Sequence, residues 1–526
     1  MELRLQKRRR PLKKESKEWL RGYIFRRARR GANPTTVLVL LLMVVSVLLV
    51  NRSIERGAIQ PLFMPTPTAT RVANSYVLEA RTHFDAGALD ASIAAFQNAL
   101  EVEPNNGALY AELARVLTYS SAMVTTDQER EARLLQAMDV ANRGAQCAPP
   151  GGQPTPTANP TPTPAGDGNT ADTSHTPPNW DAYLGLECVS EDSTAHAVRA
   201  FTLDWLATYA RDTLLDEAGG NDLMSEADLA ITRAKVLDET NLQALIYYAE
   251  IMVDFRRYNE AESAILQALQ ISPNQWELHR VYGLYLENQA AYADAIREFE
   301  TALQLAPNMT FLYIKLGQSY RLQGMRAAPE SIEQMEAFTK ALEYFEKAAN
   351  LNEQLGIKDP YPYLGIGYTY AQMGEFFIAS RNMSKALSFN PYSAKVYGDL
   401  GMVARQGKNY ELGVSALRCA VRGCDAKTSC SVRQCDEETE APIVIQGLAL
   451  TPNTVGYYFT YAALLAGMYV PTNPERADYC REALEVIAEV RAVPRFNEEP
   501  VYDNIMKESE AICASYGITA ASPGRP

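Results

Sequence analysis

Two consecutive stretches decide how this chain reads: LQALIYYAEIMVDFRRYNEAESAILQALQISPNQ at residues 242–275 and WELHRVYGLYLENQAAYADAIREFETALQLAPNM at residues 276–309. Both are written on one 34-residue template, because Ala249, Tyr258, Ala261, Ala268 and Pro273 stand at the same offsets as Gly283, Tyr292, Ala295, Ala302 and Pro307. Apolar residues recur at spacings of three and four (Tyr248, Met252, Ile265, Leu269; Tyr282, Leu286, Phe299, Leu303), which predicts amphipathic helices. Small residues, Ala249 facing Ala261 and Gly283 facing Ala295, allow two antiparallel helices to approach. Pro273 and Pro307 end the second helix of each pair, since proline lacks an N–H and clashes with the preceding turn.

This period and pattern resemble the tetratricopeptide repeat (TPR), a helix-turn-helix unit that stacks into a solenoid. The implied fold is all-α: a right-handed superhelical TPR solenoid of helix-turn-helix pairs, preceded by a transmembrane helix. Looser copies flank the centre. Tyr76–Asn106 matches a first unit; a second starts at Tyr110 and runs through a lengthened turn to Pro149; Ala197–Asp238 is diverged. Tyr313–Pro360 is lengthened at its turn and end, Tyr363–Pro391 is well formed, and Tyr397–Ala420 leads into a cysteine-rich insertion. The array resumes at Pro452–Ala483, and Val501–Tyr516 suits the capping helix that solenoids need.

The organisation expected is therefore a basic cytoplasmic tail (1–31), a transmembrane helix (32–50), a Pro/Thr-rich spacer (51–72), N-terminal TPR units (73–149), a disordered Pro/Thr insertion (150–178) and a diverged helical pair (179–241). A central TPR array (242–421), a cysteine-rich insertion (422–451), a C-terminal TPR unit with its cap (452–516) and a disordered tail (517–526) complete it. Between Pro149 and Pro178, 16 of 30 residues are Pro or Thr, too few apolar groups to bury a core. That segment reads either as a tolerated surface insertion or as a glycosylated or partner-binding loop.

Charge is uneven. Residues 1–34 carry 13 of the 50 Lys+Arg and 3 of the 63 Asp+Glu, a net of +10, which leaves 37 minus 60, or −23, on the remainder. So acidic a body argues against nucleic acid, whose phosphates need clustered cations. The basic end precedes Val37–Val50, apolar throughout except for Ser46. As a helix these residues rise about 21 Å, short of a hydrocarbon core of about 30 Å, so Ala32–Thr36 must enter the span as well. The positive-inside rule then sets a single-pass protein in the cell membrane, with the N-terminus cytoplasmic and the TPR domain extracytoplasmic. The rival reading is a cleaved signal peptide, but Asn51–Arg56 offers no small-residue cleavage pattern. Trp19, Leu20, Tyr23 and Ile24 share one helical face within the basic tail, a candidate for contact with anionic lipid.

All eight cysteines follow the apolar run, in a compartment expected to permit disulfides. Cys147 and Cys188 bracket the Pro/Thr insertion, and Cys480 with Cys513 could tie the last pair to the cap. Cys419, Cys424, Cys430 and Cys435 admit two local disulfides, a zinc ion, or free or intermolecular thiols, although the spacers are looser than usual for zinc and no His lies nearby. No metal or cofactor is expected. Nor is any catalytic residue: His83, His175, His196 and His279 are scattered, no nucleophile or phosphate-loop signature occurs, and the chain reads as a non-enzyme. Asn308-Met309-Thr310 and Asn382-Met383-Ser384 match the N-glycosylation triplet.

The TPR resemblance implies that the first helix of each pair lines a concave groove. By register that groove holds Ile246, Glu250, Arg280, Leu284, Ile314, Gln318, Leu364, Tyr368, Met402 and Arg405. Its mixture of apolar, aromatic and charged groups suits a protein or peptide partner. The carboxylate-holding Lys/Asn/Arg set of chaperone-adaptor TPRs is not reproduced in these slots. The function expected is a membrane-anchored scaffold. An accessory or assembly subunit of an envelope, secretion or enzyme complex is the alternative, with a catalytic site inside an insertion a third.

Overall fold

The computed structural model describes helix 34–55 and residues 71–151, 178–436, 438–497 and 500–519. The basic tail, the Pro/Thr segment at 56–70, the insertion at 152–177 and the C-terminal residues 520–526 lie outside the described residues. The chain divides into residues 1–70 and 71–526. In the first unit, α1 (Pro34–Glu55) contains the apolar run, with Val37–Val47 exposed. Among the described residues, no helix is long and apolar enough to cross a membrane.

The second unit is a succession of antiparallel helix pairs. These are α2 (Ala73–Asp85) with α3 (Leu89–Val102), α4 (Gly107–Ser120) with α5 (Asp127–Gly144), α6 (Ser193–Asp212) with α7 (Glu217–Leu237), and α8 (Leu242–Asp254) with α9 (Tyr258–Ile271). They continue as α10 (Trp276–Asn288) with α11 (Tyr292–Leu305), α12 (Thr310–Arg326) with α13 (Ile332–Leu355), α14 (Tyr361–Gln372) with α15 (Phe376–Phe389), and α16 (Ala394–Gln406) with α17 (Tyr410–Val421). A short α18 (Ala426–Arg433) lies in the cysteine-rich segment, followed by α19 (Val455–Gly467) with α20 (Tyr479–Arg491), then α21 (Pro494–Asn497) and the terminal α22 (Pro500–Ser515). Two-residue strands, β1 (Cys147–Ala148) and β2 (Glu187–Cys188), pair antiparallel at the two ends of the Pro/Thr insertion.

One local device recurs. The first helix of a pair ends on a left-handed residue, which is Gly87, Arg256, Ala290, Gly374 or Lys408. The next residue's N–H bonds back to the last turn, as in Arg257 N to Met252 O and Ala291 N to Leu286 O. This satisfies carbonyls the helix end would otherwise leave bare. The small contact residues work differently from the expected pairing of Gly283 with Ala295. A Cβ on Gly283 would sit 2.7 Å from the Phe299 ring, and one on Gly317 2.7 Å from Phe345, so each glycine vacates space for an aromatic ring one helix away. The lengthening of the Tyr313 unit is carried by helix rather than turn: α12 has 17 residues and α13 has 24, and Gly324 beside Phe338 keeps them in contact past the usual turn position.

Contacts between residues far apart in sequence bring the array back on itself. Asn308 Nδ2 donates to Asp85 O at 3.4 Å, and Gly87, with φ +74°, lies so near that an added Cβ would fall 2.5 Å from Asn308 O. Arg130, in α5, donates to the Tyr361 hydroxyl at the start of α14 at 2.8 Å. Most of α6 is buried, from Ser193 to Ala210.

Candidate binding surfaces on the inner side

At the fifth template position, Ile246, Arg280, Ile314 and Leu364 are all buried, and at the ninth Glu250 is buried while Leu284, Gln318, Tyr368 and Met402 are partly accessible. Arg405 is exposed. Ile314 packs with Phe345 and Ile366, and Leu364 with its neighbours in α15 and α16. Ile246, Glu250 and Arg280 contact the chain itself: helices from the N-terminal third lie against the inner faces of α8 and α10 and supply the packing that the register assigned to a partner.

That contact is built around two carboxylates. Glu277, 4% exposed, accepts hydrogen bonds from the hydroxyls of Tyr119 (2.7 Å) and Tyr247 (3.1 Å) and from Arg115 (3.1 Å). Glu250, 6% exposed, accepts from both Nη atoms of Arg280 (2.8 and 2.5 Å) and from the Trp205 indole (3.3 Å). Aromatic rings seal the site. Tyr119 stacks on Phe311 at 5.7 Å and meets Trp276 at 5.1 Å, while Phe201 stacks on Tyr247 at 4.3 Å. Burial works against the Arg280 charge, but the Glu250 carboxylate more than offsets it and holds the guanidinium protonated. Burial, followed by the Glu277 charge, raises the Tyr119 hydroxyl well above its usual range, so it remains a donor. Asp204, on the inward side of α6, is likewise pushed far up by burial and by the charges of Asp254 and Glu250, so its carboxyl is held in the neutral form. Sequence reasoning placed Arg280 and Glu250 in the groove but missed Tyr119, Arg115, Glu277 and Trp205. Each reads as an ordinary member of an amphipathic helix.

The inner side remains open further along. Between the start of α5 and the end of α6 on one wall, and α14, the α15–α16 turn and residues 446–453 on the other, lies a cavity of about 700 Å³. Arg130, Tyr209, Arg211, Asp212, Tyr361, Leu364, Tyr368, Asn390, Lys395 and Leu448 are among its lining residues. Two predicted groove residues, Leu364 and Tyr368, thus face the same space. Tyr368 donates to Asp399 (2.5 Å), as does Tyr457 (2.6 Å). Below the Arg130–Tyr361 contact sits Asp359, buried, accepting from Tyr361 N–H (2.8 Å) and Asn352 Nδ2 (3.2 Å). Burial pushes its carboxyl up to about 7 against those hydrogen bonds and the nearby Arg130 charge. Asn390 was also missed. Its signal is the residue before the terminal proline, Ser272 and Ala306 in the two central units but an amide here.

Four disulfides join Cys147 to Cys188, Cys419 to Cys424, Cys430 to Cys435 and Cys480 to Cys513, and no described cysteine is free. The first clamps the base of the Pro/Thr insertion. The second closes a short loop ahead of α18, the third ties Cys430 within α18 to the residues just after it, and the fourth fastens α20 to α22.

Comparison with known proteins gives the following. The tetratricopeptide-repeat family profile matches residues 73–106. No curated protein sequence matches the chain. Among solved structures, PilW, a widely conserved type IV pilus biogenesis factor, is 20% identical, with 41% of this chain and 90% of that one covered and a TM-score of 0.32. Pseudomonas aeruginosa pilF is 19% identical, with 43% and 90% covered and a TM-score of 0.30. Human IFIT1, solved as a dimer with PPP-AAAA, is 12% identical, with 86% and 92% covered and a TM-score of 0.46. The chain thus carries a tetratricopeptide repeat within an all-α, TPR-like array of paired helices.

Proposed function

We propose that this protein is a non-enzymatic scaffold, anchored in the cell membrane by the helix around Val37–Val50, whose TPR-like array stands outside the cytoplasm and binds a protein or peptide partner on its inner side. The carrying observation is that Leu284, Gln318, Tyr368, Met402 and Arg405, which the repeat register assigns to that side, remain wholly or partly accessible, a mixture of aliphatic, aromatic and cationic groups of the kind protein interfaces use. Four disulfides support an oxidising compartment. The apolar run with Arg8, Arg9, Arg10, Arg26 and Arg27 before it supports the anchor and its orientation, and gives the tail a cationic face for anionic lipid.

Photo-crosslinkers at positions 284, 318 and 402 in intact cells test the scaffold reading: a discrete protein adduct is expected, and adducts no different from those at outer-face positions such as 266 would overturn it. Protease added outside intact cells tests the topology, since full protection of residues 71–526 would reverse it.

A further inference from the structure

Gly356, with φ +72°, ends α13 and opens a link of five residues, Gly-Ile-Lys-Asp-Pro, to α14. This link is where the downstream array meets the N-terminal helices. Ile357 packs against the apolar cluster that contains Phe84 and Met123, and shares a small cavity with Gly87 and Val124. Two residues on, the Asp359 carboxyl accepts the Tyr361 N–H at the start of α14 and so fixes where the Tyr361 side chain leaves the helix. There Arg130 of α5 donates to the Tyr361 hydroxyl at 2.8 Å, its guanidinium 5.9 Å from the centres of both the Tyr361 ring and the Tyr209 ring of α6.

The surroundings of Asp359 suit a neutral carboxyl. It is 2% exposed, its other hydrogen bond comes from Asn352 Nδ2 at 3.2 Å, and among the described residues it forms no ion pair. Arg130 and Asp127 face this junction from α5, whose Glu131 accepts from the Tyr209 hydroxyl. Arg211 and Asp212 of α6 line the cavity beyond, while Glu353 of α13 and Lys358 of the link are exposed. Of these charges Arg130 is the one that favours ionised Asp359, and burial outweighs it. A carboxylate formed here must be reached by water, which the link can admit only by lifting Ile357 and Tyr361 from the N-terminal helices. We propose that Asp359 is an acid-tightened clasp: while it is protonated the link stays docked and α14 is held to α5, and loss of its proton to solvent releases the link and widens the cavity between them. Once released, the carboxyl is hydrated and ionises near its ordinary value of about 4. Docking is therefore supported in full below about pH 4, and that support is lost as the pH rises through 7, the released-to-docked ratio growing up to tenfold per pH unit in between.

The test follows the full chain in detergent micelles from pH 5 to pH 8. Hydrogen exchange, corrected for its intrinsic pH dependence, reads the Ile357 and Tyr361 amides, which bond to Asn352 O and to Asp359. Their protection should fall up to tenfold per pH unit as far as about pH 7 and then level off. Spin labels on Gln128→Cys and Tyr392→Cys, on opposite walls of the cavity, read its width by pulsed electron paramagnetic resonance; every native cysteine is in a disulfide, so labels attach at the introduced sites. One short distance is expected at pH 5, joined by a longer one as the pH rises, whereas Asp359→Asn should keep the short distance and its protection to pH 8. Constant protection in the unlabelled parent overturns the proposal without any variant. Exchange that loosens while the label distance stays fixed overturns it as well, since Asp359 would then govern local fraying alone. An equal pH response in Asp359→Asn also overturns it, by assigning the response to another buried carboxyl such as Asp204.

Discussion

Helices α8 and α10 present the same template to the inside of the array as α14 and α16, with opposite results. In the first region Glu250 and Arg280 are sealed in an ion pair beneath α6 and α4; in the second Tyr368 and Met402 are only partly buried, and the wall facing Tyr368 stands off across a cavity. Template position determines which way a side chain points. What lies opposite determines whether it is core or surface, and here that is another part of the same chain, from 45 to 231 residues away.

The sharpest way to break this contrast is Arg280→Ala, which leaves Glu250 buried without its cation. A loss of about 3–5 kcal/mol is expected in denaturant unfolding. Next comes Gly87→Ala, where the left-handed φ and the 2.5 Å approach to Asn308 O are both violated. A loss of roughly 1–3 kcal/mol should appear in the same measurement, accompanied by faster proteolysis of the first helix pair.

A smaller, pH-dependent effect is expected at Asp359. Its folded pKa of about 7 lies above the unfolded value, so the folded state binds the extra proton between about pH 4 and 7. Stability from this group is full below pH 4 and lost as the pH rises through 7. Asp359→Asn keeps an acceptor for Tyr361 N–H and, with the Asn352 amide turned over, donates to Asn352 Oδ1 in place of accepting from its Nδ2. Its melting temperature should exceed that of the parent by a few degrees at pH 8 and differ little at pH 4; the reverse order would show that Asp359 is charged and paired. Least of all, Arg405→Glu should change stability by no more than about 0.5 kcal/mol, because the side chain is exposed.

The repeat itself was legible. Helices α8 to α11 occupy the two 34-residue units, and Pro273 and Pro307 follow them as proline chemistry requires. The closure was not, for a physical reason: periodicity reports which face of a helix is apolar, and Tyr119, Phe201 and Trp276 satisfy that rule whether they meet a neighbouring repeat or one far along the chain. Glu277 and Arg280 look like the polar members of an amphipathic helix until their partners are seen.

The bonds from Arg130 to Tyr361 and from Asn308 to Asp85 also bear on how the chain is made. An array held only by neighbouring repeats can settle unit by unit as it leaves the ribosome. Here the partner of Arg130 is 231 residues downstream. At about 5–20 residues per second, some ten to fifty seconds separate the appearance of the two ends. Until α10 and α12 follow, Tyr119, Phe84 and Arg115 have finished helices but lack Trp276, Glu277 and Phe311. The earliest-made third of the molecule thus waits for helices made much later, and a chain halted before α10 would carry an intact N-terminal segment with that face still uncovered.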